Sequence, residues 1–256
     1  MEHVKVLSQE IGVRSGGSAG EDEAEEYIAT VYKNAGLDVV RQPFTRPDGG
    51  TSHNVIGRIP GVDYSRPYVV LGAHYDTVRR SPGANDNASG TGVVVSLAET
   101  ISARKLALPI EFIAFSVEER QPASQPGPPG LLTGSRAYVE ALDDPKARVA
   151  SMISIDMIGN GPALLLVRYS ESGDQIQKEL AAAATITGDP HVLSTKGAVS
   201  DHGPFCIAGV PCAFLYSGDH PSYHKPTDVY SVVQPESVGR TGRITLQWLK
   251  TRFGFQ

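Results

Sequence analysis

Three apolar runs in this chain end in an acid or a histidine: YVVLGAHYD (68–76), PIEFIAFSVEE (109–119) and VASMISID (149–156). Each is bounded by Pro, Gly, Ser or Asp, and each has the length and aliphatic content of a buried strand. Between and around them lie segments of helical period. Residues 22–35 space Ala24, Tyr27, Ile28, Val31, Tyr32 and Ala35 along one face, with acids in the first turn and Gly36 as a stop. Helical patterns also cover Ala88 to about Lys105, 131–142, 173–185 and a closing segment at 235–253, and further strands are predicted at 37–44, 53–61, 163–168 and 210–217. This alternation is that of an α/β fold. With 256 residues and 40% hydrophobic composition, the chain has enough material for one domain over 1–256.

Composition removes some partners. The formal charge of −5 comes from interspersed acids and bases without a basic block, which points to no nucleic acid and no anionic membrane surface. No apolar run approaches the roughly 20 residues that cross a bilayer, and MEHVKVLSQEIG lacks the basic start and apolar centre of a secretory leader. The expectation is a soluble protein whose location and oligomeric state stay open. Cys206 and Cys212 flank a turn at Gly209–Pro211. They read first as two small buried apolar residues, with a disulfide as the alternative. The stretch RQPASQPGPPG (120–130) holds four prolines and reads as a surface loop beside the candidate site.

The polar residues at the strand ends carry the chemistry. His74 and Asp76 stand at i and i+2, so extended backbone projects both to one side: His74 suits a metal ligand and Asp76 a hydrogen-bond acceptor that orients its ring. A structural His–Asp pair is the plainer alternative. Asp86 sits in GANDNASG, where small residues allow close backbone approach. It is either a helix cap or a carboxylate able to bridge two metals. Glu118 and Glu119 end a strand, where a turn can bring both to one cleft; one would ligate while the other moves a proton, unless the pair is only solvated. Asp156 follows MISI at a strand's carboxyl end, where open α/β sheets place ligands. His224 lies in the loop SYHKPTD.

Taken together, HYD, GANDNASG, EE, DMIG, SDHGPF and YHKPTD, in this order, resemble the M28 family of zinc aminopeptidases. The lead-in IGVRSGGSAGEDEAEEYI extends the resemblance over nearly the whole chain. It implies a phosphorylase/hydrolase-like fold with a central mixed β-sheet flanked by helices on both faces, and two Zn2+ ions per chain. On matching positions, His74 and Asp156 would hold one zinc, Glu119 and His224 the other, and Asp86 would join them. Asp76 would support His74, Glu118 would be the general base, and Tyr223 would help stabilise the oxyanion. Asp201 and His202 match a site-lining stretch without an assigned duty. The chain departs from the family pattern in the proline-rich insertion after EE, which bears on subsite shape. The implied substrate is a peptide with a free N-terminus. Two alternatives remain: a glutaminyl cyclase-like acyltransferase, and a catalytically silent zinc-stabilised binding domain.

Overall fold

Alternate residues of the central strands feed two different cores, and this sets the layering. In β3 (Tyr68–His74), Val69, Leu71 and Ala73 pack into one apolar cluster while Tyr68 and Val70 pack into another. β4 (Ile110–Phe115) divides in the same way, with Phe112 and Ala114 on one side and Ile113 and Phe115 on the other. A strand buried on both faces reads as a continuous apolar run because neither face meets water. The computed structural model describes residues 1–104, 107–119, 132–169 and 174–256. The proline-rich 120–130 stretch lies outside the described residues.

The remaining strands are β1 (Asp38–Thr45), β2 (Thr51–Arg58), β5 (Val149–Ile155), β6 (Leu164–Tyr169), β7 (His191–Lys196) and β8 (Cys212–Tyr216). They form one mixed eight-stranded sheet in the order β1-β2-β4-β3-β5-β8-β6-β7. The larger core joins it to helices α1 (Glu2–Lys5), α2 (Ala19–Asn34), α3 (Gly90–Ala103), α6 (Asp174–Thr187) and α8 (Pro235–Phe253). On the opposite face the smaller core takes Tyr138 and Val139 of α4 (Thr133–Glu140) and Phe205 and Cys206 of α7 (His202–Ile207). A short helix α5 (Pro145–Arg148) leads into β5. The predicted α/β class, mixed sheet and two-sided helical cover all stand.

Four neighbouring strands, β4, β3, β5 and β8, run parallel to one another. Their registers are nearly level: Gly72 pairs with both Ile113 and Ser154, and Ile155 pairs with Leu215. Their carboxyl ends therefore open onto one edge of the sheet, which is where the acids and histidines of the sequence reading emerge.

Among the described residues, β7, α7 and α1 are elements that lacked a readable pattern. β7 is an edge strand with Val192 and Leu193 exposed, so no core-facing alternation marks it. α7 is six residues long and contains Gly203 and Pro204. The amino-terminal helix α1, continued by a wider turn over Val6–Ile11, buries little beyond Val4, Leu7 and Ser8. One expectation is corrected: Cys206 and Cys212 are not a free pair but form a disulfide, with their Cα atoms 5.7 Å apart. The turn at Gly209–Pro211 brings the end of α7 to the start of β8. Among the described residues no helix is long and apolar enough to cross a membrane.

Candidate metal centre

The segment 83–90 is sewn onto the end of β5 by its own asparagines. Asn87 donates to the Ile155 carbonyl (2.9 Å) and accepts from Gly90 and Met157, while Asn85 accepts from Gly159 at 2.8 Å. Approach this close requires glycine. A Cβ on Gly90 would lie 2.1 Å from the Ile155 carbonyl oxygen, and Gly83 combines a φ of 59° with a Cβ position 2.4 Å from the Asp86 carbonyl. The consequence is that Asp86 is carried to Asp156. Asp86 is no helix cap: α3 starts at Gly90, and it is Asn87 that receives the Gly90 N–H.

Two other loops are fixed by buried charges. The Asp76 carboxylate accepts the backbone N–H groups of Glu118 (3.1 Å) and Glu119 (3.2 Å), so it aims the paired glutamates as well as standing 3.5 Å from His74 Nδ1. Arg14, fully buried, donates to the carbonyls of Tyr75 (2.6 Å), Pro82 (2.8 Å) and Gly83 (3.1 Å). Val117, Met157 and His224 all adopt left-handed backbone, with φ between 52° and 57°. Such conformers cost of order 1–3 kcal/mol each and persist where the surroundings overdetermine them. Here they turn Glu118 and Asp156 out of their strands and His224 into the cleft.

The result is a cluster built around Asp86. Its Oδ1 is 3.4 Å from His74 Nε2, which is also 3.4 Å from Asp156 Oδ1. Its Oδ2 is 3.3 Å from His224 Nε2, which is 3.0 Å from Glu119 Oε2. Two three-donor groups able to hold a metal ion thus share one carboxylate: His74, Asp86, Asp156 and Asp86, Glu119, His224. A third group, His74 with Glu118 and Glu119, meets the same spacing. Every ligand candidate of the sequence reading is brought together.

The electrostatics call for a cation. Asp86, Glu118, Glu119, Asp156 and, behind them, Asp201 are all buried, against two imidazoles. Burying an ion costs several kcal/mol unless it is paired and hydrogen-bonded. Yet Asp86 Oδ2, Glu119 Oε1, Asp156 Oδ1 and both oxygens of Asp201 have no hydrogen-bond partner. Burial raises Glu119 to about 8, helped by Asp86, and pushes Glu118 well above the usual carboxyl range. Burial likewise lifts Asp201 to about 7. For the two imidazoles burial is outweighed by the acids: Asp156 and Glu118 raise His74 well above its ordinary value, and Asp86 and Glu119 bring His224 to about 10. Nitrogen and carboxylate donors in this mixture suit zinc.

The cluster floors a cleft of about 160 Å³. Met157, Val199, Phe214, Tyr216 and Tyr223 supply its apolar wall, joined by Lys196 and Asp219. Tyr223, half exposed at the rim of the cleft, stacks its ring on His224 with centroids 3.7 Å apart, and burial first, then the neighbouring acids, raise its phenol. His202, unassigned from sequence, stacks on Phe214 at 4.9 Å and bonds the Gly197 carbonyl through Nε2. It supports the wall from behind.

Burial lowers His202 to about 4 from 6.5. The unfolded chain therefore binds the extra proton between these values: the contribution is complete above pH 6.5 and is lost as pH falls toward 4. Its size is about 3 kcal/mol, at 1.36 kcal/mol per pH unit. Urea unfolding of wild type and His202→Phe at pH 7 and pH 4.5 is expected to show a smaller acid loss in the variant. An equal loss would remove His202 as its source.

The chain is 32% identical over 204 residues to aminopeptidase YwaD of Bacillus subtilis, covering 75% of this chain but 43% of that protein. It is also 32% identical over 213 residues to leupeptin-inactivating enzyme 1 of Streptomyces exfoliatus, covering 81% and 45%. The chain thus spans under half the length of these curated relatives. In three dimensions it is similar to BSAP, a zinc aminopeptidase from Bacillus subtilis, with TM-score 0.86, 21% identity, and 98% and 93% of the two chains covered. A glutaminyl cyclase from Bacteroides thetaiotaomicron gives TM-score 0.80 at 21% identity, over 96% and 94%, so the fold is shared by two chemistries. The profile described as Peptidase family M28 matches residues 54–249, a span that takes in every donor of the cluster, and the chain belongs to that family.

Proposed function

We propose that this protein is a dizinc aminopeptidase, which removes the N-terminal residue of a peptide. The observation that carries the reading is Asp86, which turns one oxygen toward each of two histidines and so completes two donor groups at the floor of one cleft. His74 and Asp156 would hold one zinc, Glu119 and His224 the other, with Asp86 between them. Bound there, the metals would supply Lewis acidity, lowering the pKa of water from about 15.7 toward 7 and polarising the scissile carbonyl.

The chain's own residues do the rest. Glu118 belongs to neither of the two groups that share Asp86, and its backbone is held by Asp76. Its carboxylate takes a proton from the attacking water and passes it to the leaving nitrogen, the work of a general base and then acid. Asp76 keeps the His74 ring and the Glu118–Glu119 backbone in one arrangement. Tyr223 donates from the rim to the carbonyl oxygen as negative charge develops there. The acid-rich floor favours the substrate's free α-ammonium, and the apolar wall takes the side chain beside it.

A three-part assay tests the reading: aminoacyl-anilides, their N-acetylated forms and glutaminyl peptides, each with and without chelator. Cleavage confined to free-amine anilides and abolished by chelator is the expected result. Cyclisation of glutaminyl peptides would give the fold's other chemistry, and metal uptake without turnover would give a binding domain; either overturns the proposal.

A further inference from the structure

The turn carrying Asp86 is gripped from two sides, and one grip comes from the loop of its fellow donor. Asp228 lies four residues after His224 and is buried. Its carboxylate accepts the Asn85 N–H through Oδ1 (2.9 Å) and the Asp86 N–H through Oδ2 (3.0 Å), and its own carbonyl accepts the Ala84 N–H at 3.1 Å. Three successive amides, Ala84 to Asp86, therefore end on one residue. Just before them, the carbonyls of Pro82 and Gly83 end on the Arg14 guanidinium. Backbone N–H groups on a carboxylate make charge-assisted bonds, roughly twice as strong as neutral ones, and here solvent does not compete.

The 224–228 loop is itself closed tightly: the Asp228 N–H donates to the Lys225 carbonyl and the Lys225 N–H to the Ser222 carbonyl, each at 3.0 Å. His224 and Asp228 thus sit in one short segment closed by two turns. Asp228 fixes the distance between the Asp86 backbone and the His224 backbone, two donors 138 positions apart in sequence.

We propose that Asp228 is a positioning residue for the metal centre, which sets Asp86 Oδ2 against His224 by holding the Asn85–Asp86 backbone. It touches neither substrate nor metal. This inference rests on the metal-centre reading given above. Unlike general loop stabilisation, the effect of Asp228 on metal affinity passes through Asp86.

The test is a double-mutant cycle read by metal binding. Zinc affinity is measured by competition with a chromophoric chelator for wild type, Asp228→Asn, Asp86→Ala and the double variant, with circular dichroism melts of each metal-free protein. Asparagine keeps the size but places an N–H₂ against one of the two amides. Loss of an orienting partner of a ligand costs about 10–100-fold in metal affinity. The expected result is a loss of that order for Asp228→Asn in the wild-type background and less than about twofold on top of Asp86→Ala. Should Asp228→Asn fail to fold, Asp228→Glu, which keeps the charge and displaces it, is expected to show the same dependence on Asp86. Unchanged affinity, or an equal loss in both backgrounds, overturns the inference. A wild-type protein that takes up no zinc overturns the metal-centre reading instead, so the two failures are distinguishable.

Discussion

Glu118→Gln is expected to lower kcat by at least about a hundredfold while metal content and KM change little. The substitution preserves volume and removes only the ability to accept and return a proton, a function worth typically 10²–10⁴-fold. Its neighbour makes the contrast informative. Glu119 Oε2 sits 3.0 Å from His224 Nε2 inside a group that shares Asp86, so Glu119→Gln is expected to weaken metal uptake first and activity through it. The two glutamates differ by one position in sequence, and Asp76 holds the backbone of both. A shared structural role would make the two variants alike. Steady-state kinetics beside metal analysis separates the cases, and near-wild-type turnover in Glu118→Gln would remove that residue from the proposed mechanism.

Chelation is expected to abolish turnover and to lower the melting temperature, with both restored by zinc. Without a cation, the buried carboxylates of Asp86, Glu119 and Asp156 leave oxygens with no hydrogen-bond partner, and the folded state carries their desolvation. A ligand present at a thousandfold over its Kd stabilises by about 4 kcal/mol. At about 2–4 °C per kcal/mol for a protein near this size, the shift is roughly 8–16 °C. Calorimetry of chelated and reloaded protein measures it. Turnover that survives exhaustive chelation would contradict the metal-dependent reading.

His74, the glutamates and Asp156 could be read from sequence because they follow strands whose apolar runs are long and unambiguous: YVVLGA, IEFIAF and MISI. Parallel neighbours bring such ends to one edge, so placing the strands nearly placed the site. His224 and Asp86 lie on loops, where periodicity is silent; residue type and small neighbours made them candidates, and the family resemblance decided between their alternatives. The residues that hold the donors were harder. Asp228 was visible only as the last letter of YHKPTD, and Arg14 only as part of the lead-in, because the groups they hold at the site are backbone atoms as far as 61 to 143 positions away. A side chain that binds backbone leaves no complementary residue type to look for. Asp76 was assigned to orient His74; its two bonds to the Glu118 and Glu119 amides add a second duty that no spacing rule announces. β7 escaped because an exposed edge strand owes little to burial, and the Cys206–Cys212 bond because two cysteines six apart serve equally well as packing residues.

In the proposed centre Asp86 joins two metals. Diffraction from zinc-loaded crystals, recorded on both sides of the zinc absorption edge, tests it most directly. Two anomalous peaks are expected roughly 3.5–4 Å apart, the usual spacing in two-metal sites, with Asp86 between them, His74 and Asp156 at one and Glu119 and His224 at the other. A single peak, or two peaks of which neither touches Asp86, would contradict it.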